Sequence, residues 1–300
     1  MPIDPQAQAH LDIAFGHANA GTRAWSARTL PIPPQLASVV DRQVAAPGGP
    51  VTVRVFTPEG DGPLPVAIWI HGGGWVQGSI DTNDATCRFL AEASGAIVVS
   101  VEYRLSPMTK FPGALDDCYA VAEWIASDAA SIRGDASRVA ICGASAGGNL
   151  ATVIALRARD SGGPKFVHQL MVYPVTDSGF NTETYELFAT GHLLDRDQMK
   201  EFFTNYLPND AERSNPYVAP MKAEDLSGLP PAHIITAEYD VLRDEGEAYG
   251  ARLVAAGVPV RHSRYLGMIH TFFNGTIGFD KTFEAITECG AELRKAFGTA

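Results

Sequence analysis

The chain has 300 residues, 46% of them hydrophobic, and a formal net charge of −11. That length holds one large domain or two small ones, and it buries enough surface to fold without a disulfide or metal staple. The acidic balance, with no Lys/Arg-rich run, argues against nucleic acid and anionic membranes as partners. The cysteines, Cys87, Cys118, Cys142 and Cys289, are scattered. They form no C-x-x-C and no Cys/His cluster of metal spacing, so reduced thiols, no metal and no cofactor are expected. No apolar run reaches the roughly 18 residues that a membrane helix needs. Residues 1–6 lack a basic region followed by an apolar one, so no signal peptide is expected and the cytoplasm is the expected compartment.

Residues 2–37 read as short helical pieces that end among Pro31, Pro33 and Pro34, with Ala9, Leu11, Ala14 and Phe15 as one apolar face. From Asp41 the pattern changes. Residues 41–44 and 51–56 look like strands, the second alternating with period two, around the turn Pro47-Gly48-Gly49-Pro50. That predicts an antiparallel hairpin with one wet face. Fully apolar runs follow at 66–70, 96–101, 139–142, 170–173 and 234–236, with a shorter one at 258–260. Continuous apolar strands without alternation are typical of parallel sheets covered on both faces. Helical patterns fall between them at 85–93, 114–126, 146–159 and 245–256. Alternating strands and helices after an antiparallel start predict an α/β fold with a mixed sheet. Between Tyr173 and Leu229 no clear strand appears, and residues 195–203 look helical with Asp195 as the cap. An excursion of that length reads as a lid or subdomain, with a decorative insertion as the alternative.

The stretch Gly143-Ala144-Ser145-Ala146-Gly147 has the form G-x-S-x-G, between an apolar β-prone run and a helical one. A serine turned sharply between strand and helix presents its hydroxyl clear of the backbone, and the helix start aims N–H groups at a developing anion. Serine is a poor nucleophile at neutral pH, so a base, an orienting acid and oxyanion donors are needed as well. The donors fall to His71-Gly72-Gly73-Gly74-Trp75, at the end of the run 66–70: the N–H groups of Gly73 and Gly74, with that of Ala146 after the serine. Such glycine-rich loops accompany the G-x-S-x-G turn. His71 precedes the serine in the chain and reads as a structural hydrogen-bonder, with Gly72 beside it.

In this arrangement the base follows the serine. His168, His192, His233, His262 and His270 qualify by order. His168, His233 and His262 fall within or at the start of strand-like runs, and His192 in the lid. His270 lies in Gly267-Met268-Ile269-His270-Thr271-Phe272, read as a loop after the last strand, and is the choice. For the acid, residues 234–245 offer Glu238, Asp240, Asp244 and Glu245. Asp240 lies just past the strand and is preferred, with Asp244 second. Asp244 and Glu245 read as serving the N-terminus of the next helix.

Five motifs in order resemble the bacterial hormone-sensitive-lipase-like esterases: the glycine loop, Tyr103-Arg104-Leu105-Ser106-Pro107, the Ser145 turn through Asn149, Asp240-Val241-Leu242-Arg243-Asp244-Glu245-Gly246, and residues 267–272. The likeness runs from about Val51 to the C-terminus. It implies an α/β-hydrolase fold, a mostly parallel central sheet flanked by helices, with a helical cap. It implies Ser145, Asp240 and His270 as a catalytic triad. The expected division is a cap arm at 1–40, core at 41–177, cap insertion at 178–220 and core again at 221–300. Three positions depart from the family pattern: Ala144 where Asp or Thr is frequent, Ser106 where Ala is usual, and Val241 where Pro is common. None removes a catalytic atom.

The expected activity is hydrolysis of short- to medium-chain acyl esters through an acyl-enzyme, with a small-molecule ester as partner and a homodimer left open. The rival readings are an arylformamidase-type amide hydrolase, which uses similar motifs, and a small-molecule receptor on the same fold. Receptors resembling this family lack the triad histidine, which is present here.

Overall fold

The computed structural model describes residues 1–17 and 19–300. In chain order these form helices α1 (Pro5–Ala14) and α2 (Ala20–Ser26), strands β1 (Ser38–Val44), β2 (Val51–Thr57) and β3 (Leu64–Ile70), helix α3 (Asp84–Ser94), strand β4 (Ile97–Glu102) and helix α4 (Gly113–Asp128). There follow β5 (Gly134–Ala144), α5 (Ala146–Ser161), β6 (His168–Val172), α6 (Glu183–Leu187), α7 (Arg196–Tyr206), β7 (Ala232–Tyr239), α8 (Arg243–Ala255), β8 (Val260–Ile269) and α9 (Asp280–Phe297). The strands make one sheet in the order β1-β2-β4-β3-β5-β6-β7-β8. β1–β2 and β2–β4 pair antiparallel, and every later pair is parallel.

The apolar runs give two-sided burial because successive strand residues point to opposite faces. In β3 all seven residues are buried. Val66, Ile68 and Ile70 enter one apolar layer with α4 and α5, while Ala67 and Trp69 enter the other with α3 and α9. β5 divides the same way, with Val139 and Ile141 against Ala140 and Cys142. All four cysteines are buried and free.

Three expectations need correction. The apolar face of α1 is Ala7, Ala9 and Leu11, whereas Ala14 and Phe15 are exposed because the helix stops there. The last strand is Val260–Ile269: it contains the strand-like run 260–265 around His262 and runs well past the apolar residues 258–260. It lies at the sheet edge, so exposed Arg261, His262 and Arg264 break the apolar signal without ending the strand. Gly267, Met268 and Ile269 therefore belong to β8, and the loop begins at His270. Asp195 caps α7 as expected, in a reciprocal capping box with Gln198 (2.8 and 3.0 Å).

Candidate active site

Ser145 joins the end of β5 to the start of α5 with φ 57° and ψ −120°. A non-glycine residue in that region is strained and persists only where its surroundings hold it. Here the Ser145 N–H donates to Val172 O at 2.9 Å, and its carbonyl accepts from Asn149 N at 2.9 Å and Val175 N at 3.4 Å. Asn149 Nδ2 donates to the carbonyls of Val175 and Val218, both at 2.9 Å. The turn is therefore clamped between β6 and its own helix.

His270, the residue after β8, brings Nε2 to 3.0 Å from Ser145 Oγ, across 125 positions of chain. Its Nδ1 lies 2.7 Å from Asp240 Oδ2. An ionised carboxylate only accepts, so Nδ1–H donates to Asp240 and Nε2 accepts from the serine hydroxyl. The other Asp240 oxygen accepts from Leu242 N at 3.0 Å. The pairing of β7 with β8 shifts register between Ala237 and Tyr239, just before Asp240. Such irregularities re-aim the side chains beside them. Asp240 is 1% exposed, His270 4% and Ser145 8%. The Tyr173 ring lies over His270 with centroids 4.5 Å apart. In this geometry an imidazole can take the hydroxyl proton as the oxygen attacks a carbonyl.

The glycine loop leaves β3 directly. Gly73 and Gly74 have φ of 118° and 59°, which side chains with a Cβ rarely adopt. Their N–H groups donate to no backbone or side-chain acceptor among the described residues. Ala146 opens α5, so its N–H has no intrahelical partner. His71 is fully buried, stacks on Tyr103 at 4.2 Å, and places Nδ1 2.8 Å from the Gly72 carbonyl. Burial pushes its imidazole down to about 4, so it is neutral near pH 7. Tyr103 Oη donates to the His71 carbonyl at 3.0 Å, and Trp75 stacks on Tyr206 of α7 at 4.2 Å. The loop is thus held from below by the Tyr103 segment and from above by α7.

A cavity of about 540 Å³ opens on Ser145 and His270. Gly72, Gly73, Gly74 and Ala144 line it, as do Trp69, Asn83 and Phe273. From the helical segments come His10 of α1, Gln198 and Phe202 of α7, and Leu193 and Leu194 just before α7.

The structure brings Ser145, His270 and Asp240 together, with Gly73, Gly74 and Ala146 around the serine. The other candidates lie elsewhere. Asp244 accepts from Thr184 N at 3.0 Å and pairs with Arg243. Glu238 accepts from Gly267 N at 2.6 Å. His168 and His233 are buried in the sheet, His262 bonds Thr236 Oγ1 from the edge strand, and His192 stacks on Tyr239. Glu245, expected only to favour a helix N-terminus, is instead buried and accepts from Thr176 N at 2.7 Å. Sequence reasoning did not single out Phe202, Trp69 or His10 as cavity walls. Phe202 lies four residues after Gln198, on one face of a capped helix, which is the signal that marks it.

Three positions that depart from the family pattern are accommodated. Ser106 Oγ donates to Thr109 O at 2.9 Å, Val241 is fully buried, and Ala144 lines the cavity.

A family model described as alpha/beta hydrolase fold matches residues 67–274. The chain is 41% identical over 279 residues to the carboxylesterase NlhH of Mycobacterium tuberculosis, covering 90% of this chain and 87% of that one. It is 32% identical to an arylesterase of Saccharolobus solfataricus, covering 99% of this chain and 100% of that one. Among solved structures, a thermostable esterase from Pseudomonas putida ECU1011 superposes with a TM-score of 0.90 at 37% identity, over 99% of this chain and 98% of that one.

Proposed function

The chain belongs to the α/β-hydrolase family, in its hormone-sensitive-lipase-like group, and from that premise we propose that it is a serine carboxylester hydrolase with Ser145, His270 and Asp240 as its triad. The observation that carries this reading is the unbroken run of hydrogen bonds from Asp240 through His270 to Ser145, ending in a cavity.

Ser145 Oγ attacks the ester carbonyl while His270 Nε2 takes its proton. Asp240 holds the tautomer with Nδ1 protonated and stabilises the imidazolium that forms. The tetrahedral oxyanion accepts from the N–H groups of Gly73, Gly74 and Ala146, which need no reorganisation because the loop and helix start already hold them. His71 and Gly72 support that loop. His270 then protonates the departing alkoxide, and the alcohol leaves. In the second half His270 takes a proton from water, whose oxygen attacks the acyl-enzyme, and the acid is released as Ser145 regains its proton.

The N-terminal arm and residues 178–220 act as a cap. His10, Leu193, Leu194, Gln198 and Phe202 wall the cavity, and a space of about 540 Å³ suits short or medium acyl chains. The test is hydrolysis of p-nitrophenyl butyrate. Ser145→Ala loses turnover by about 10⁵-fold with its circular dichroism unchanged. Residual activity near wild type would reject the assignment, and a higher rate on an aryl formamide than on esters would favour amide hydrolysis.

A further inference from the structure

Glu245 lies in the first turn of α8, five positions beyond Asp240, and is 2% exposed. Its Oε1 accepts from the backbone N–H groups of Thr176 at 2.7 Å and Asp177 at 3.2 Å. Those residues continue the segment after β6 that backs the Ser145 turn: Val172 O accepts from Ser145 N, Val175 N donates to Ser145 O, and Val175 O accepts from Asn149. One carboxyl group therefore joins the helix that follows Asp240 to the segment that holds Ser145.

The surroundings of that carboxyl are polar, and among the described residues no cation pairs with it. Glu245 Oε2, Tyr185 Oη and Thr176 Oγ1 are buried and unpartnered. Tyr185 of α6 faces the carboxyl, and Asp177 approaches it from the segment after β6. Lys222, which faces Asp177, is committed to it at 2.9 Å. On α8 itself, Asp244 is held by Arg243 and Thr184 N. An ionised Glu245 would thus be a buried charge beside a second carboxylate, with no counter-ion.

We propose that Glu245 is a positioning residue that works as a neutral carboxylic acid, its carbonyl oxygen taking the two backbone N–H groups and its O–H on the side of Tyr185, and that this clamp fixes the Asp240 loop relative to the Ser145 turn. Burial pushes the carboxyl up to about 8, in keeping with a proton held near neutrality. Above that value the proton leaves, and a desolvated charge beside Asp177 drives the carboxyl toward water, which breaks the clamp on the Thr176 and Asp177 N–H groups.

The inference rests on the hydrolase reading, so its test pairs activity with stability. For kcat on p-nitrophenyl butyrate between pH 6 and 9.5, wild type falls through a midpoint near 8. Glu245→Gln keeps an isosteric acceptor and donor without the ionisation. It retains kcat within about threefold at pH 7 and loses that alkaline fall. Glu245→Leu removes both bonds and lowers kcat about tenfold or more, with KM changed less than about twofold. A wild-type profile flat to pH 9.5, an alkaline fall unchanged in Glu245→Gln, or wild-type kcat in Glu245→Leu overturns the proposal. The second arm needs no turnover. A native carboxyl held above its unfolded value favours the fold below about pH 4.5, and that contribution is lost as pH rises through 8. Melting temperature of Glu245→Gln relative to wild type must therefore rise from pH 5 to pH 8.5, and a constant difference overturns the neutral acid. Inactive wild-type protein, or Ser145→Ala as active as wild type, sinks the hydrolase reading instead, and the melting series still decides the state of Glu245. Should Glu245→Leu fail to fold, the Glu245→Gln profiles decide alone.

Discussion

A methyl group on Gly147 would lie 2.0 Å from the carbonyl oxygen of Ile70 and 2.5 Å from that of His71. The first turn of α5 thus runs directly against the end of β3, and the Ser145 turn and the glycine loop share one floor. The contact is with backbone, so rotating a side chain cannot relieve it. Gly147→Ala is expected to destabilise the protein by about 2 kcal/mol or more and to lower kcat by displacing the loop donors. Chemical denaturation and a kcat measurement check this, and unchanged stability contradicts it.

Asp240→Asn keeps the shape of the acid but presents an amide to His270. The amide satisfies the wrong tautomer, with Nδ1 accepting and Nε2–H facing Ser145 Oγ. The expected loss is about 10⁴-fold in kcat with KM little changed. A loss below about tenfold would place the orienting acid elsewhere.

Phe202 approaches the glycine loop closely enough that a methyl group on Gly74 would fall 2.3 Å from its Cγ. The ring therefore walls the cavity beside the glycine loop. Phe202→Ala is expected to raise kcat/KM for p-nitrophenyl octanoate relative to butyrate by about tenfold or more, the gain from accommodating one or two further methylenes at roughly 1 kcal/mol each. An unchanged ratio across the chain-length series would place the limiting wall on another residue.

Burial holds the imidazoles of His71, His168 and His233 each down to about 4. The native state leaves them neutral, whereas the unfolded chain protonates them near 6.5. With the unfolded state binding more protons, stability is lost as pH falls from about 6.5 toward 4. At pH 5 each histidine contributes on the order of 2 kcal/mol to that loss. His168→Gln is expected to flatten the fall in unfolding free energy between pH 6.5 and 5, measured by urea titration. An unaltered slope would show that His168 protonates in the native fold.

The parallel strands are legible because both faces of each are apolar, so 66–70 and 139–142 stand out from their surroundings. The Ser145 turn is legible because strand, small residues and helix follow one another within a few positions. His270 is reachable from chain order, since four of the five eligible histidines fall in strand-like runs or in the lid. β8 is less legible, because its outer half carries Arg261, His262 and Arg264 at the sheet edge. The clamp at Glu245 is not legible at all. An acid in the first turn of a helix already has a sufficient local explanation in the helix dipole. Only the fold brings Thr176, 69 positions away, to its carboxyl oxygen.

Reaction with a fluorophosphonate, followed by peptide mass spectrometry, reads out the reactivity of the serine hydroxyl itself. One phosphonyl group is expected per chain, on Ser145, with labelling abolished in Ser145→Ala and sharply slowed in His270→Ala. A wild-type chain that stays unlabelled, or that carries the adduct on another residue, would contradict a nucleophilic Ser145 served by His270 and Asp240.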